Sequence, residues 1–116
     1  MTHKDLEDFL LAFPDTWLDY PFGKDTSVYK VGQRDSDEAK IYAIINVGSR
    51  PLKVSLKCDP VLAETLRVKY ETVVPGYNLN KKNWNTVICS GQLANDEIED
   101  LARLSYNLVS GTTHSR

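Results

Sequence analysis

Apolar residues recur at helical spacing in three segments of the chain. They are Leu6, Phe9, Leu10 and Phe13, then Leu62, Leu66 and Tyr70, and then Ile98, Leu101, Ala102, Ser105 and Leu108. Because residues three and four apart share one face of a helix, this spacing predicts three amphipathic helices. We expect Pro14 to end the first helix, Asp59 to cap the second before Pro60, and Asn95 to cap the third.

Between these helices, apolar residues either alternate with polar ones or form short runs, as they do in strands. Four segments of this kind predict strands: Ser27 to Val31, Lys40 to Val47, Leu52 to Cys58 and Trp84 to Cys89. The segment Trp17 to Gly23 predicts a short edge strand or an extended connection, whose Trp17 and Phe22 cap the core. The Pro-Gly pair within Val74 to Tyr77 predicts a turn or loop.

Two of the strands carry predictions about their faces. In the strand from Lys40, alternation places Ile41, Ala43, Ile45 and Val47 on one face and Tyr42 and Ile44 on the other. In the next strand it places Leu52, Val54, Leu56 and Cys58 on one side, and it leaves Lys53, Ser55 and Lys57 in water. The short polar links predict antiparallel pairing. The fold class is therefore α+β, a two-layer sandwich of an antiparallel sheet with helices packed on one face.

The chain has the length of one domain, and we expect that domain to span residues 1–116 with a loose tail at 112–116. Cys58 and Cys89 belong to no CxxC motif, which favours a reduced, cytoplasmic protein. Cys58 is expected to be a buried small hydrophobe. No secretory signal is recognisable, and no segment approaches the roughly 20 apolar residues that span a bilayer. We therefore expect no membrane contact.

The formal net charge of -2 conceals an uneven distribution of charge along the chain. From Arg50 to Lys82, seven basic residues oppose three acidic ones, whereas from Met1 to Ser49 five basic residues oppose nine acidic ones. A polyanionic partner would therefore bind the middle of the chain.

The motifs of common catalytic centres are absent from the sequence. It contains no P-loop, no GxGxxG, no GxSxG and no HExxH, and its two histidines, His3 and His114, lie near opposite termini. We expect a protein that is not an enzyme and that uses no cofactor. The carboxylates Asp5, Glu7 and Asp8, with Asp15, Asp19 and Asp25, could bind a hard cation, or they could be a solvated helix face with turn residues. Their spacing selects no coordination geometry.

The segment from Tyr77 to Asn85 combines amides, two lysines and a tryptophan. Lys81 and Lys82 could contact phosphates, Asn80 could donate a hydrogen bond, and Trp84 could stack on a base. Alternatively, the asparagines bond within a tight loop and Trp84 packs in the core, which is the favoured interpretation for Trp84.

The sequence resembles the MmcQ/YjbR family of small bacterial proteins. The features that carry the resemblance are Phe13-Pro14, Tyr20-Pro21-Phe22-Gly23, the segment from Pro51 to Lys57, Val74-Pro75-Gly76-Tyr77, Leu79-Asn80-Lys81-Lys82, Trp84-Asn85-Thr86-Val87 and Ser105-Tyr106. The resemblance implies a CyaY-like fold related to frataxin, and it implies DNA binding by a double-wing surface. Asn78 and Asn83 stand where the family pattern has histidines, so roles that need an imidazole there should not carry over.

Our leading functional hypothesis is DNA binding without catalysis, at a site formed by Arg50, Lys53, Lys57, Asn80, Lys81 and Lys82. One alternative is a protein-interaction or small-ligand module with an apolar surface from Trp17, Tyr20, Phe22, Tyr77 and Trp84. The other is frataxin-like metal binding at the acidic first helix, which rests on analogy between folds. The oligomeric state and any protein partner do not follow from the sequence.

Overall fold

The computed structural model describes residues 1–76 and 79–111, which form one antiparallel sheet and a layer of helices. The elements in chain order are α1 His3–Leu11, β1 Thr16–Asp19, β2 Thr26–Val31, β3 Lys40–Asn46, β4 Leu52–Lys57, α2 Pro60–Lys69, β5 Val73–Pro75, β6 Trp84–Cys89 and α3 Asn95–Ser110. The strand order across the sheet is β1-β2-β3-β4-β6-β5, and every neighbouring pair is antiparallel. The predicted α+β class and strand pairing are confirmed.

The core lies between the helices and one face of the sheet, which we call the inner face. Leu6 and Leu10 of α1 and Ile98 and Ala102 of α3 are buried in the same cluster as strand residues such as Leu56. Inner-face side chains also bond to the helices. The hydroxyls of Tyr29 and Tyr42 donate to the Glu7 carboxylate and the Leu10 carbonyl of α1, each at 2.6 Å, and the Asn85 amide donates to the Ala63 carbonyl of α2 at 3.2 Å. All three contacts join the inner face of the sheet to the helices.

The predicted alternation along β3 is wrong because the strand contains a bulge. Tyr29 pairs with Ala43, but the next residue of β2, Lys30, pairs with Ile41, so Tyr42 is an extra residue in β3. The bulge turns Tyr42 to the inner face together with Ala43 and places Ile41 opposite Lys30. Simple period-two counting cannot detect an inserted residue.

The prediction of a wet face on β4 is wrong at Ser55. Val54 and Leu56 are buried against the helices as expected. Ser55 points to the other face, but it is only 8% exposed and its hydroxyl lies 2.8 Å from that of Thr86 on β6. Lys53 and Lys57 at the two ends of the strand remain partly exposed.

Several local features differ from the prediction. Pro75 belongs to the short strand β5, because Val73–Pro75 pairs with β6. The N-cap of α3 is Ala94, whose backbone N–H donates to the Glu97 carboxylate at 2.8 Å. Leu108 is 44% exposed, and Tyr106 takes its place in the core. Asp59 caps α2 as predicted, since its carboxylate accepts the N–H groups of the first turn at 3.1 and 3.2 Å.

In the described part of the chain, no helix combines the length and apolar character needed to cross a membrane. The tail predicted at 112–116 lies outside the described residues.

Candidate nucleic-acid interface

The face of the sheet that points away from the helices is called the outer face here. Its side chains, taken from the strand registers, are Trp17, Asp19, Thr26, Val28, Lys30, Ile41, Ile44, Asn46, Lys53, Ser55, Lys57, Val74, Trp84, Thr86 and Ile88. The middle of this face is closed to water at Trp17, Val28, Ile44, Ser55 and Thr86. Lys53, Lys57 and Trp84 on β4 and β6 are partly exposed, as are Asp19, Lys30 and Ile41 on β1 to β3. The predicted lysines Lys53 and Lys57 are therefore accessible at the two ends of β4, on either side of the buried Ser55.

Lys53 and Lys57 lie on the same side of β4, because they are separated by an even number of residues. Four residues of extended chain place them about 13 Å apart. Lys53 is opposite Ile88 and lines a depression of about 430 Å³ together with Asn46, Val74, Pro75, Thr86 and Ile88. Lys57 is opposite Trp84 at the other end of the strand.

Lys81 and Lys82 lie in the loop that precedes β6, beside the Lys57 end of the outer face. They line a second depression, of about 500 Å³, together with Pro60, Val61, Glu64, Thr65 and Arg67 of α2. The Lys57 end and this loop are tied together by the Cys58 N–H, which donates to the Asn83 carbonyl at 2.7 Å. Two of the predicted lysines thus face the outer side of the sheet and two face α2.

Arg67 fixes this loop and was not recognised as important from the sequence. Its Nε donates to the Asn85 side-chain oxygen at 2.6 Å, and its terminal nitrogen donates to the Lys81 carbonyl. Asn85 is 3% exposed and bonds in turn to the Ala63 carbonyl of α2. The spacing of a helical arginine and a strand asparagine carries no sequence signal, because 18 residues separate them and only the fold brings them together.

Asn80 and Arg50 occupy opposite ends of the region. The Asn80 side-chain oxygen accepts the Lys82 N–H at 3.0 Å, and the Asn80 carbonyl accepts the N–H groups of Asn83 and Trp84 at 3.1 and 3.0 Å. Asn80 therefore shapes the loop that presents the lysines. Arg50 is exposed in the turn between β3 and β4, next to Pro51. Seven residues separate it from Lys57, which corresponds to about 23 Å of extended chain.

Both tryptophans of the chain point to the outer face, against prediction. Trp17 does not cap the main core; it is 6% exposed on the other side of the sheet, where its Nε1 donates to the Gly32 carbonyl at 3.1 Å. Trp84 was expected in the core, but it lies outside the core cluster and is partly exposed beside Lys57. The register explains both positions, because Asn85 and Leu18 take the inner-face positions next to them.

Charge is distributed unequally between the two layers of the fold. Helices α1 and α3 carry seven acidic residues, Asp5, Glu7, Asp8, Asp96, Glu97, Glu99 and Asp100, and two permanently charged basic residues, Lys4 and Arg103. The strands carry Lys30, Lys40, Lys53 and Lys57 and a single acidic residue, Asp19. Asp19 bonds to Lys30 at 2.9 Å, and this contact holds the pKa of its carboxyl below the ordinary value. Helix α2 carries Glu64, Arg67 and Lys69, so the sheet is basic relative to α1 and α3.

Four of the six carboxylates considered for metal binding, Asp5, Glu7, Asp8 and Asp19, have other partners in the structure. Asp5 accepts the Thr2 N–H at 3.1 Å in a capping box, Asp8 bonds to Lys4 at 3.0 Å, and Glu7 accepts the Tyr29 hydroxyl. Burial and this carboxylate raise the pKa of Tyr29. Within residues 1–76 and 79–111, no three side chains of His, Cys, Asp or Glu are grouped so that they could hold a metal ion.

The aromatic residues considered for an interaction surface do not form one patch. Tyr20 and Phe22 are 47% and 66% exposed in the loop after β1, so Phe22 does not cap the core. Trp84 is four strands away from β1, or about 19 Å, and Tyr77 lies outside the described residues. Cys58 is buried as expected, and burial raises the pKa of its thiol.

Comparison with known proteins identifies relatives over most of the chain. Protein YjbR of Escherichia coli strain K12 is 34% identical over 109 residues, which cover 91% of this chain and 85% of that protein. Protein YbdF of Escherichia coli O157:H7 is 29% identical over 107 residues, covering 92% and 83% of the two chains. The names of these relatives state no activity.

Solved structures and a family model agree with these matches. The crystal structure of Deinococcus radiodurans protein DR2400, of the domain class DUF419, has a TM-score of 0.88 and 35% identity, covering 99% of this chain and 81% of that one. A crystal structure from Pseudomonas syringae has a TM-score of 0.75 and 31% identity, covering 94% and 99%. The YjbR family model matches residues 11–108. The chain therefore belongs to the YjbR family.

Proposed function

We propose that this protein binds DNA without catalysing a reaction, through two adjoining basic regions: β4 with the turn before it, and the loop before β6, whose lysines face α2. Lys53 and Lys57 supply contacts from the outer face, Lys81 and Lys82 from the loop, and Arg50 from the turn. Asn80 contributes by holding the loop through its bonds to Lys82, Asn83 and Trp84.

The observation that carries the proposal is the separation of charge between the sheet and the helices α1 and α3. A formal net charge of -2 would repel a polyanion if the charges were evenly mixed. Here the acidic residues of α1 and α3 lie on the layer that faces away from the lysines of β4. A DNA strand on the outer face would meet lysines first, with the carboxylates behind the sheet and partly screened by salt.

The salt dependence of binding tests the proposal, because each neutralised phosphate releases counterions. If Lys53, Lys57, Lys81 and Lys82 each contact one phosphate, the slope of log K against log salt should be about -3.6 for duplex DNA or about -2.8 for a single strand. The double variant Lys81→Ala, Lys82→Ala should halve either slope, and so should the double variant Lys53→Ala, Lys57→Ala. Fluorescence anisotropy of labelled DNA, measured over a series of salt concentrations, gives the slope for the wild type and both double variants.

A matched control removes two cations from the helix layer. Lys4 and Arg103 are paired with Asp8 and Asp100 on α1 and α3. The double variant Lys4→Ala, Arg103→Ala has the same net charge as the lysine pairs, but it should leave the slope unchanged. If no DNA is retained at high protein concentration and low salt, or if all three double variants behave alike, the proposal fails. Contact through the exposed Tyr20 and Phe22 then becomes the better proposal.

A further inference from the structure

Trp84 is held firmly at its backbone while part of its side chain remains open to solvent. Its N–H donates to the Asn80 carbonyl at 3.0 Å, and its carbonyl accepts the Gly76 N–H at 2.9 Å. Its ring lies on the outer face, outside the core cluster. Trp17, by contrast, is 6% exposed and its indole N–H is bonded to Gly32. Of the two tryptophans, Trp84 is the one that a ligand could reach.

The side chains around Trp84 form rows across β4 and β6. Lys57 is opposite Trp84, Ser55 is opposite Thr86, and Lys53 is opposite Ile88. Successive rows on one face are about 6.6 Å apart, because they are two residues apart along each strand. The last row borders the depression of about 430 Å³ that Asn46 also lines. An aromatic ring with a cation beside it is thus followed by the buried hydroxyls of Ser55 and Thr86, which bond to each other, and then by a second cation.

We infer that the DNA bound at this surface is single stranded, with one base stacked on Trp84 and phosphates at Lys57 and Lys53. The inference rests on the proposed function, and it adds the form of the ligand and the residue that contacts a base. Single-strand sites elsewhere combine aromatic side chains that stack on bases with cations that follow the backbone. The rows on β4 and β6 supply both kinds of group on one surface.

The dimensions of the sheet disfavour a duplex at the same place. The major groove of B-DNA is about 12 Å wide and admits a helix or a two-stranded ribbon. Six strands at about 4.8 Å spacing give a sheet about 24 Å wide. Since β4 has three strands on one side and two on the other, this part of the sheet cannot enter the groove, and its lysines could contact only the phosphates of a duplex. In a duplex the base faces are also stacked on each other, so Trp84 would have nothing to stack on.

The helices offer no better surface for a duplex. Both α1 and α3 are strongly acidic, as described above. The remaining helix, α2, carries Arg67 and Lys69 near its end, and it borders the depression in which Lys81 and Lys82 lie together with the acidic Glu64. The Arg67 guanidinium is already bonded to Asn85 and to the Lys81 carbonyl, and the Lys69 ammonium lies 5.2 Å from the Tyr70 ring centre.

Intrinsic fluorescence tests the contact with Trp84 directly, because the chain has two tryptophans. Titration of the wild-type protein with a short oligothymidylate should quench part of the tryptophan emission. The Trp84→Phe variant retains only the buried Trp17, so its emission should not change on titration. Quenching that persists in Trp84→Phe would overturn the assignment of the base contact to Trp84.

Affinity measurements separate stacking from packing. Trp84→Phe keeps an aromatic ring and should retain most of the affinity for oligothymidylate, whereas Trp84→Leu should bind about 5- to 150-fold more weakly. If Trp84→Leu fails to fold, an oligonucleotide that carries the phosphodiester backbone without bases tests the same point on the wild-type protein. It should bind more weakly than oligothymidylate by a similar factor. Equal affinity for the two oligonucleotides would overturn the inference.

A duplex of the same length as the oligothymidylate completes the experiment. It separates the proposal of DNA binding from the inference that the bound DNA is single stranded. Preference for the single strand, with quenching at Trp84, supports the inference. Equal or tighter binding of the duplex without quenching overturns it, while the proposed DNA binding stands. If neither form binds at low salt, the proposed function itself fails and the inference fails with it.

Discussion

Leu56 and Lys57 are adjacent in β4 but point to opposite faces of the sheet. Leu56 is 3% exposed in the main core, and Lys57 is partly exposed on the outer face. We expect Leu56→Ala to lower the free energy of unfolding by about 2 to 4 kcal/mol, because it leaves a cavity. Lys57→Ala should change it by less than about 0.5 kcal/mol. Urea unfolding measures both, and the reverse order would contradict the face assignment.

Gly76 is required by the close approach of its backbone to Trp84. A Cβ at this position would lie 2.8 Å from the Trp84 Cβ and 3.2 Å from its carbonyl oxygen. Both atoms belong to a paired strand, so neither can move freely. We expect Gly76→Ala to destabilise the protein by about 1 to 3 kcal/mol and to shift the Trp84 emission maximum. Unchanged thermal unfolding together with an unchanged emission spectrum would show that the loop absorbs the methyl group.

At the scale of single elements, α2 depends on its cap. The Asp59 carboxylate accepts two N–H groups of the first turn, at Val61 and Leu62. We expect Asp59→Ala to lower the free energy of unfolding by about 1 kcal/mol, and Asp59→Asn to restore most of the loss, because asparagine caps a helix equally well. Chemical denaturation compares the variants. If the asparagine variant is as unstable as the alanine variant, the loss comes from charge and not from capping.

The contact between Asp19 and Lys30 should make the edge of the sheet sensitive to acid. The Lys30 ammonium and then the Tyr20 N–H lower the pKa of the Asp19 carboxyl in the folded protein. A lowered folded pKa stabilises the protein above the ordinary carboxyl pKa, and this contribution is lost as pH falls through the folded value, below about pH 4.

The corresponding test compares acid unfolding of the wild type and Asp19→Asn. The variant lacks the titrating group, so its stability should decline less steeply below about pH 4. Lys30→Ala removes the main cause of the shift and should flatten the curve in the same direction. The urea unfolding midpoint of each protein is measured at each pH. Parallel curves of midpoint against pH for all three proteins would contradict a role for this pair.

For the molecule as a whole, the acidic helix layer should oppose DNA association at long range without contacting the DNA. We expect the double variant Asp8→Asn, Glu99→Gln to strengthen binding slightly at low salt and to leave the salt slope unchanged. Glu7 is unsuitable for this test, because its carboxylate also accepts the Tyr29 hydroxyl. A change in slope in the same anisotropy assay would mean that the helix layer takes part in the contact itself.

The match between prediction and structure depends on the range of the interactions that decide each feature. Helical stripes such as Leu6 to Leu10, and the Asp59-Pro60 cap, are local in sequence and were predicted correctly. The bulge at Tyr42, the strand at β5 and the Ala94 cap were missed, because each depends on pairing or bonding that a period count does not contain. The relation to frataxin implied by the resemblance stays a prediction.

The candidate site divides in the same way. The alternation of β4 was enough to place Lys53 and Lys57 on one side, and the order of amides and lysines before Trp84 was enough to indicate a candidate binding loop. The sequence could not show that Lys81 and Lys82 turn toward α2, that Arg67 anchors their loop, or that Trp84 faces outward beside Lys57.

The sequence by itself determined the α+β class, the three helical stripes, the faces of Leu56 and Lys57, and the family resemblance. All of these follow either from the helical and strand periods of 3.6 and 2.0 residues or from short motifs. Residues close together in the sequence set both kinds of signal. Only the tertiary structure decided which charges share a surface. Strand order and register bring distant residues together, and a one-residue shift in register moves a side chain to the opposite face of the sheet.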